Sequence, residues 1–430
     1  MSIRLDIRAG DFAQRFRAFL DTKREVAADV DAAVRAIVDD VAARGDGALK
    51  DYTRKFDRFD PDRVGLRVKA EEIAAAFDAC GRKTLAALEL ARDRIEVFHR
   101  RQLPRDDRFE DALGVELGSR WTAIEAVGLY VPGGSAAYPS SVLMNAVPAK
   151  VAGVPRLVMA VPAPGGELNP LVLAAAKLVG IDEIFRISGA QAIAALAYGT
   201  KAIAPVAKIV GPGNAYVAAA KRIVFGKVGI DTIAGPSEVL ILADRHGNPD
   251  WIAADLLAQA EHDASAQAIL ITDSVTLADQ VERAVAAQLA ALARGKVAGA
   301  SWRDYGAVIV VPALEQALPL VDALAPEHVE IVADDAERLA QGIRNAGAIF
   351  LGPHTPEVIG DYVAGSNHVL PTARAARFSS GLGVLDFVKR TSILKCGPEQ
   401  LRALADAAIT LASAEGLDAH ARSVAIRLNR

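Results

Sequence analysis

The sequence predicts an α/β protein built on two mostly parallel sheets, each covered by helices on both faces. From about Ala126 the chain alternates short apolar runs, glycine-bearing turns and helical segments, and a second alternation follows the segment Gly235–Glu238. Consecutive strands joined through helices pair in parallel, because each helix returns the chain to the same edge of the sheet.

The chain before these alternations is helical in pattern. Residues 24–45 and 71–101 carry apolar side chains at a spacing of about 3.6 positions, with charged side chains on the opposite face. We therefore expect the first hundred residues to form a helical wrap.

Each alternation has its own set of strands, separated by helical runs. The first set is VGLYVP, RLVMAVP, EIFRIS and KIV, and the second is VLILAD, AILITD, AVIVV, HVEIVA and AIFLG. Ligands of such sheets bind at the carboxyl ends of the strands, so the glycine turns lie where a cofactor is expected. The last fifty residues are predicted to be a small helical appendage.

Composition excludes several classes of function. Hydrophobic residues make up 52% of the chain and charged residues 24%, as in ordinary globular proteins, and the net charge of −4 gives no attraction for nucleic acid or an anionic membrane. Only two cysteines occur, which excludes a disulfide framework. The start lacks a secretory apolar segment and no long apolar run follows, so we expect a soluble, cytoplasmic protein.

Two glycine turns are candidate phosphate sites. Gly211-Pro-Gly-Asn214 and Val131-Pro-Gly-Gly134 each precede a helical run, and backbone N–H groups at a helix start bind phosphate. Neither turn matches the GxGxxG fingerprint of dinucleotide binding. A tight turn without a ligand explains either of them equally well.

Histidine provides the metal candidates, since cysteine clusters are absent. Gln259 and His262 are three positions apart in a helical run and would share one helix face. A lone helix histidine is more often structural than a ligand. Asp361, His368 and His420 are possible further ligands, whereas His99 and His246 are expected to be solvated.

The adjacent pair Glu327–His328 is a candidate acid/base pair. It lies between a helix and the strand HVEIVA, and histidine titrates near neutral pH. A helix-ending proline followed by solvated polar residues explains the same pattern. The cysteines lack the surroundings of a nucleophile, and no GxSxG motif of an α/β-hydrolase occurs.

Taken together, the motifs resemble one family, the histidinol dehydrogenases. The resemblance spans nearly the whole chain and rests on segments that follow the family's order, namely GLYVPGG, YPSSVLMNAVPAKVAGV, GAQAIAALAYGT, GPGNAYV, IDTIAGPSE, LLAQAEHD, LAPEHVEI, GSNHVLPT, SGLGVLDFVKRTS and EGLDAHARSVAIRL.

The resemblance implies an activity and a set of site residues. The expected reaction is the oxidation of L-histidinol to L-histidine in two NAD-dependent steps through L-histidinal, the last step of histidine biosynthesis, with one zinc ion per subunit. The implied zinc ligands are Gln259, His262, Asp361 and His420, and the implied acid/base residues are Glu327 and His328. Implied NAD contacts are Tyr130, Gln191 and Asn214; implied substrate contacts are Ser237, Gln259, His262, His328, Asp361, Glu415 and His420.

The resemblance also implies an architecture of two incomplete Rossmann-like domains with small terminal pieces that exchange in a homodimer. Predicted boundaries are 1–25 for an N-terminal helical piece, 26–129 with 238–381 for the first sheet domain, 130–237 for the second, and 382–430 for a C-terminal helical tail. Glu415 and His420 would then reach the partner's site.

Three alternatives stay open at this point. A paralogous dehydrogenase would keep the zinc and the acid/base pair but oxidise another polar alcohol; Ser237 and Glu415 favour histidinol, because they would bind its amino-alcohol end. A zinc hydrolase needs no nucleotide, which disagrees with the glycine turns. A non-catalytic binding protein has no need of Glu327 and His328.

Overall fold

The fold was obtained as a computed structural model that describes residues 2–22, 29–133, 138–233 and 235–429. The described strands, in chain order, are β1 (Ile3–Asp6), β2 (Asp107–Glu110), β3 (Glu116–Ala123), β4 (Ala126–Tyr130), β5 (Arg156–Val161), β6 (Glu183–Arg186), β7 (Lys208–Val210), β8 (Gly229–Ile230), β9 (Glu238–Ala243), β10 (Gln267–Thr272), β11 (Ala307–Val310), β12 (His328–Val332), β13 (Ala348–Leu351) and β14 (Val388–Lys395).

Helices separate most of these strands. In chain order they are α1 (Phe12–Leu20), α2 (Asp29–Arg44), α3 (Asp46–Tyr52), α4 (Pro61–Val64), α5 (Ala70–Ala79), α6 (Arg82–Arg100), α7 (Pro139–Val151), α8 (Pro170–Leu178), α9 (Gly189–Tyr198), α10 (Ala215–Val224), α11 (Pro249–Ala260), α12 (Val275–Leu289), α13 (Gly295–Tyr305), α14 (Leu318–Leu324), α15 (Ala336–Gln341), α16 (Glu357–Tyr362), α17 (Pro398–Ala414) and α18 (Asp418–Ala425).

Two parallel sheets form the body of the protein, which confirms the predicted fold class. The first has the order β6-β5-β4-β7-β8, and the second has the order β1-β11-β10-β9-β12-β13. Apart from β1, both sheets have the same connectivity. The chain begins at a central strand, adds two strands on one side of it, and then adds two strands on the other side. The switch point lies between β4 and β7 in the first sheet and between β9 and β12 in the second.

Both sheets are buried on both faces, which explains their nearly continuous apolar strands. In the first sheet, β4 and β5 send alternate side chains into two cores, one shared with α5 to α8 and the other with α2, α9 and α10. In the second sheet, one core is shared with α1, α14 and α15, and the other with α11, α12 and α13.

The helices of residues 29–100 pack on the first sheet, although the predicted boundaries place residues 26–129 in one domain with 238–381, which contains most of the second sheet. α2 contacts α9 and α10, α5 contacts α8, and α6 contacts α7. The apolar stripe of each helix shows which of its faces is buried, but it does not show which sheet that face packs against. The domain boundaries themselves stay a prediction.

The N-terminal segment was expected to be helical, and this is wrong for β1. Residues Ile3–Asp6 pair in parallel with Ala307–Val310 at the edge of the second sheet, and Leu5 is buried against it. Four residues are too short to show a strand period, so the helical pattern of the following chain dominated the prediction.

The C-terminal segment was predicted to be a helical tail, but it also contains a strand, β14. β14 pairs antiparallel with β3 along its whole length, from Val388 opposite Ala123 to Lys395 opposite Glu116, and β2 completes this third sheet. The helices α17 and α18 follow, and most of their side chains are exposed.

Two predictions about the N-terminal helices need correction. The predicted helix over 71–101 is divided, since α5 ends at Ala79 and α6 begins at Arg82. His99 was expected to be solvated but is fully buried, with Nδ1 2.8 Å from the Ile95 carbonyl oxygen. Its pKa is lowered because burial disfavours the charged imidazole. In the predicted helix over 24–45, residues 24–28 lie outside the described residues.

No helix in the described part of the chain combines the length and the apolar character needed to span a membrane.

Candidate active site

A buried cluster of polar side chains lies at the amino ends of β9 and β12. Glu238 is the first residue of β9, and Glu327 and His328 stand at the start of β12. The C-terminal end of α11 and the helix α16 lie against this edge and contribute Gln259 and Asp361. The cluster therefore joins segments that are far apart in the sequence.

Glu327 and Glu238 are joined by two hydrogen bonds, each from the backbone N–H of one residue to the carboxylate of the other. The Glu238 N–H donates to Glu327 Oε2 at 3.1 Å, and the Glu327 N–H donates to Glu238 Oε2 at 3.3 Å. Both side chains are buried. Burial and the nearby Glu238 charge raise the pKa of Glu327 well above its ordinary value, and the Ser237 hydroxyl bonds to it. The ionised form of Glu327 is therefore a stronger base than a solvated carboxylate.

His328 is oriented by a single strong contact. Its Nδ1 lies 3.0 Å from the carbonyl oxygen of Glu238, which can only accept, so Nδ1 carries the proton. Nε2 is then a bare nitrogen, buried and without a hydrogen-bond partner in the described structure. Burial lowers the pKa of His328 to about 4. At neutral pH this imidazole is neutral, with an available base at Nε2.

Gln259 and His262 face each other, but not because they share a helix face, as was predicted. α11 ends at Ala260, so His262 lies in the following turn, where its N–H donates to the Gln259 carbonyl oxygen at 3.2 Å. The Gln259 amide group is satisfied when Nε2 donates to Glu357 Oε1 and to the Glu238 carbonyl oxygen, at 3.3 Å each. Its Oε1 then faces His262 Nδ1, with 3.4 Å between the amide and the ring nitrogen.

Asp361 approaches the same pocket from α16. Its Oδ1 lies 3.7 Å from His328 Nε2. His368 lies beside it, with Nδ1 2.9 Å from the Asp361 carbonyl oxygen and Nε2 3.4 Å from Ser141 Oγ. Burial lowers the pKa of His368, so this ring is also neutral at neutral pH.

The arrangement suits a divalent metal ion. One ligand-type atom from each of His328, Glu357 and Asp361 lies within 4.8 Å of the others, and Glu357 Oε2 is buried without a partner in the described part of the chain. The Gln259 oxygen and the His262 nitrogen face each other nearby. Nitrogen and oxygen ligands without thiolate fit zinc and its neighbours among the first-row metals.

Glu357 was missed by the sequence reasoning. It is buried, its Oε1 lies 3.5 Å from His328 Nδ1, and its N–H donates to Glu330 Oε1 at 2.6 Å. It stands four positions before Asp361 in α16, so both side chains lie on one helix face. That spacing of two acidic residues in PEVIGD was the available signal.

A second acidic pair lies behind Glu357. Asp255 of α11 and Glu330 of β12 are hydrogen-bonded to each other, and burial raises the pKa of both carboxyl groups. An acidic residue in the middle of the apolar strand HVEIVA was the signal for it. Such a pair holds a shared proton at neutral pH.

The predicted dinucleotide contacts lie in the other half of the molecule, at the carboxyl ends of the first sheet. Tyr130 ends β4, and its hydroxyl accepts from the Gly189 N–H at 3.1 Å. Gln191 lies in the first turn of α9 and donates to Ser188 Oγ at 3.3 Å. Asn214 caps α10 by accepting from the N–H groups of the next helical turn. Gly134 of the second glycine turn lies outside the described residues.

Two predicted site residues are not in the cluster. Glu415 and His420 are exposed on the C-terminal helices, and neither side chain makes a hydrogen bond or an ion pair in the described parts of the chain. Leu394, Leu411 and Ile426 of the same region are also exposed.

Comparison with known proteins gives one consistent result. The family model described as histidinol dehydrogenase matches residues 20–428. The chain is 74% identical over 429 residues to the histidinol dehydrogenase of Nitrobacter winogradskyi and 72% identical over 430 residues to that of Rhodopseudomonas palustris, with 100% of each chain covered. The crystal structure of histidinol dehydrogenase from Elizabethkingia anophelis superimposes with a TM-score of 0.95 at 35% identity, covering 100% of this chain and 98% of that one.

Proposed function

Because this chain belongs to the histidinol dehydrogenase family, we propose that it oxidises L-histidinol to L-histidine through L-histidinal with NAD and one zinc ion per subunit. This is the last step of histidine biosynthesis. The observation that carries the proposal is the cluster at the amino ends of β9 and β12, where the buried Glu327 and His328 lie near the ligand atoms of Gln259 and Asp361, with the exposed His262 facing Gln259. A paralogous enzyme for another alcohol is not favoured, since the relatives at 69–74% identity over nearly the full length all bear this one name.

Zinc would be held by Gln259, His262, Asp361 and His420. Bound there, the ion supplies a template for the imidazole and amine of the substrate, both of which are good ligands for a borderline metal. The Gln259 amide is held by Glu357 and the Glu238 carbonyl oxygen, so its oxygen is directed toward His262 before any ion binds. Ser237, His328 and Glu415 would complete the substrate contacts.

His328 would act as the base in both oxidations. Its bare Nε2 would accept the proton of the substrate hydroxyl in each oxidation, with bound NAD as the hydride acceptor, and the first proton would have to pass to solvent before the second step. The Glu238 carbonyl oxygen keeps the tautomer fixed throughout, because it can bond only to a protonated Nδ1.

Glu327 would serve the step between the two oxidations. The aldehyde must be hydrated before a second hydride can leave, and the ionised carboxylate takes a proton from the attacking water. Its bonds to the Glu238 N–H and the Ser237 hydroxyl hold it beside His328, with 3.8 Å between Glu327 Oε2 and His328 Nδ1.

NAD would bind at the carboxyl ends of the first sheet, against Tyr130, Gln191 and Asn214. These residues follow three different strands around the switch point between β4 and β7, where ligands of such sheets bind.

The test is the stoichiometry of the reaction. The purified protein, loaded with zinc and supplied with L-histidinol and excess NAD, should produce two NADH for each L-histidinol consumed. One NADH per substrate would contradict the second oxidation, and none would contradict the assignment of substrate or cofactor.

We also propose a homodimer in which the tail of one subunit completes the site of the other. The exposed apolar side chains of the tail and the separation of His420 from its own cluster support it. Inactive His328→Asn and His420→Ala proteins, unfolded and refolded together, should regain activity, because one site of each mixed dimer is then intact. No regain in demonstrated mixed dimers would contradict the exchange.

A further inference from the structure

A buried ion pair lies beside the glycine turn that follows β7. Lys221 belongs to α10 and Asp231 directly follows β8, and each side chain is only 3% exposed. Lys221 Nζ contacts Asp231 Oδ1 directly. The two charges neutralise each other beside the first sheet.

Both partners also bond to one glycine. The N–H of Gly211 donates to Asp231 Oδ2 at 2.7 Å, and Lys221 Nζ donates to the Gly211 carbonyl oxygen at 3.1 Å. Gly211 has φ +111°, and a Cβ there would lie 2.1 Å from the carbonyl oxygen of Tyr130. The ion pair therefore fixes the turn where it approaches the end of β4 most closely.

Stability alone does not require this pair. Removing two charges from water costs about as much as their attraction returns, and apolar residues of similar size often replace such pairs without loss. Here both charged groups act on the peptide groups of a single residue. The Lys221 ammonium is engaged by Asp231 and by Gly211, so the pair acts on the conformation of the turn.

From this geometry we propose that Lys221 and Asp231 are positioning residues for the dinucleotide. They fix the position of Gly211, and with it Asn214 at the start of α10, relative to Tyr130 on the other side of the switch point. The inference rests on the proposed NAD contacts and adds the device that sets their relative position.

The test is the double variant Lys221→Met/Asp231→Asn, which leaves no unpaired buried charge. We expect the KM for NAD to rise on the order of tenfold or more, because a displaced contact residue weakens binding steeply. The KM for L-histidinol and the zinc content should stay unchanged, since both depend on the other sheet. NAD should also raise the melting temperature less than it does in the parent protein.

A matched control exists in the same sheet. Arg156 and Glu183 form an ion pair at the amino ends of β5 and β6, at 2.8 and 2.9 Å, away from the glycine turn. Arg156→Met/Glu183→Gln should alter stability without changing the KM for NAD. If both double variants change that KM equally, or neither does, the positioning role is wrong.

Asn214→Ala separates this inference from the proposed function. If Asn214→Ala raises the KM for NAD while the Lys221/Asp231 variant does not, the cofactor contacts stand and the positioning role fails. If the Lys221/Asp231 variant alone raises it, the positioning role stands and the Asn214 contact fails. Should the double variant not fold, Asp231→Glu keeps both charges but displaces the carboxylate, and an unchanged KM for NAD would then overturn the proposal.

Discussion

Apart from the edge strand β1, the two parallel sheets share one strand order, but the predicted site residues lie at the carboxyl ends of one and at the amino ends of the other. In the first sheet, Tyr130, Gln191 and Asn214 follow the carboxyl ends of their strands. In the second, Glu238, Glu327 and His328 stand at the amino ends. Only the first set lies where ligands of parallel sheets are expected to bind.

Helix direction explains the difference. At the carboxyl ends of parallel strands the following helices begin, and their N-termini carry partial positive charge that favours anions. At the amino ends the preceding helices finish, and their C-termini favour cations. α9 and α10 begin beside the proposed dinucleotide, whereas α11 ends at Ala260, next to Gln259 and the proposed metal. The same topology therefore suits the proposed dinucleotide at one end of its strands and the proposed metal at the other.

The largest effect on the second sheet is expected from His328→Asn. Without the bare Nε2, both oxidations should slow by about a hundred- to ten-thousand-fold, the usual contribution of a positioned base. Zinc content and NAD affinity should persist. Exposed His246→Asn is the control, and retention of near-parental turnover by His328→Asn would contradict the role.

Loss of the metal should leave the first sheet intact. His262→Asn should lose zinc and, with it, activity on the order of a hundredfold or more, since a ligand is removed outright. NAD binding, followed by its effect on the melting temperature, should be unchanged. Full activity in zinc-free His262→Asn protein would show that the metal has no part in the reaction.

Glu327→Gln should separate the two oxidations. If Glu327 activates water, the rate from L-histidinal should fall by about a hundredfold or more, and the rate from L-histidinol to the aldehyde should fall much less. Single-turnover measurements from each substrate give the two rates. Equal losses in the two steps would contradict the role of Glu327 in activating water.

Glu357→Gln tests whether the cation site depends on its supporting carboxylate. The substitution keeps the size of the side chain but loosens the hold on the Gln259 amide, so zinc affinity should fall about ten- to a hundredfold. Titration with a chelator measures this independently of activity. Exposed Glu337→Gln should behave as the parent, and an unaltered zinc affinity in Glu357→Gln would remove Glu357 from the site.

The smallest effect is expected from Tyr130→Phe in the first sheet. It deletes the acceptor of the Gly189 N–H, worth about 0.5–1.5 kcal/mol, so the KM for NAD should rise about two- to tenfold. Zinc content should not change. A change in zinc content, with the KM for NAD unaltered, would contradict the assignment of NAD to the first sheet and of the metal to the second.

Sequence periodicity alone determined much of the architecture. The apolar runs that became β4, β5, β9, β10 and β12 are buried on both faces, and the glycine turns mark where helices begin. These signals depend only on residues close together in the sequence, so they can be recognised without knowing how the chain packs. The strands β1, β2, β3, β8 and β14 were missed, because β1, β2 and β8 are too short to show a period and β3 and β14 carry no continuous apolar run.

Tertiary structure decided what the cluster contains and where it lies. Gln259, Glu327, Glu357 and Asp361 come together only because α11, β12 and α16 meet at one edge of the second sheet, over about a hundred positions of sequence. Motif resemblance named three of these residues without their geometry and left out Glu357. The charge states of Glu327 and His328 also depend on burial, which is set by distant segments, whereas the spacing of residues along the chain carries no such information.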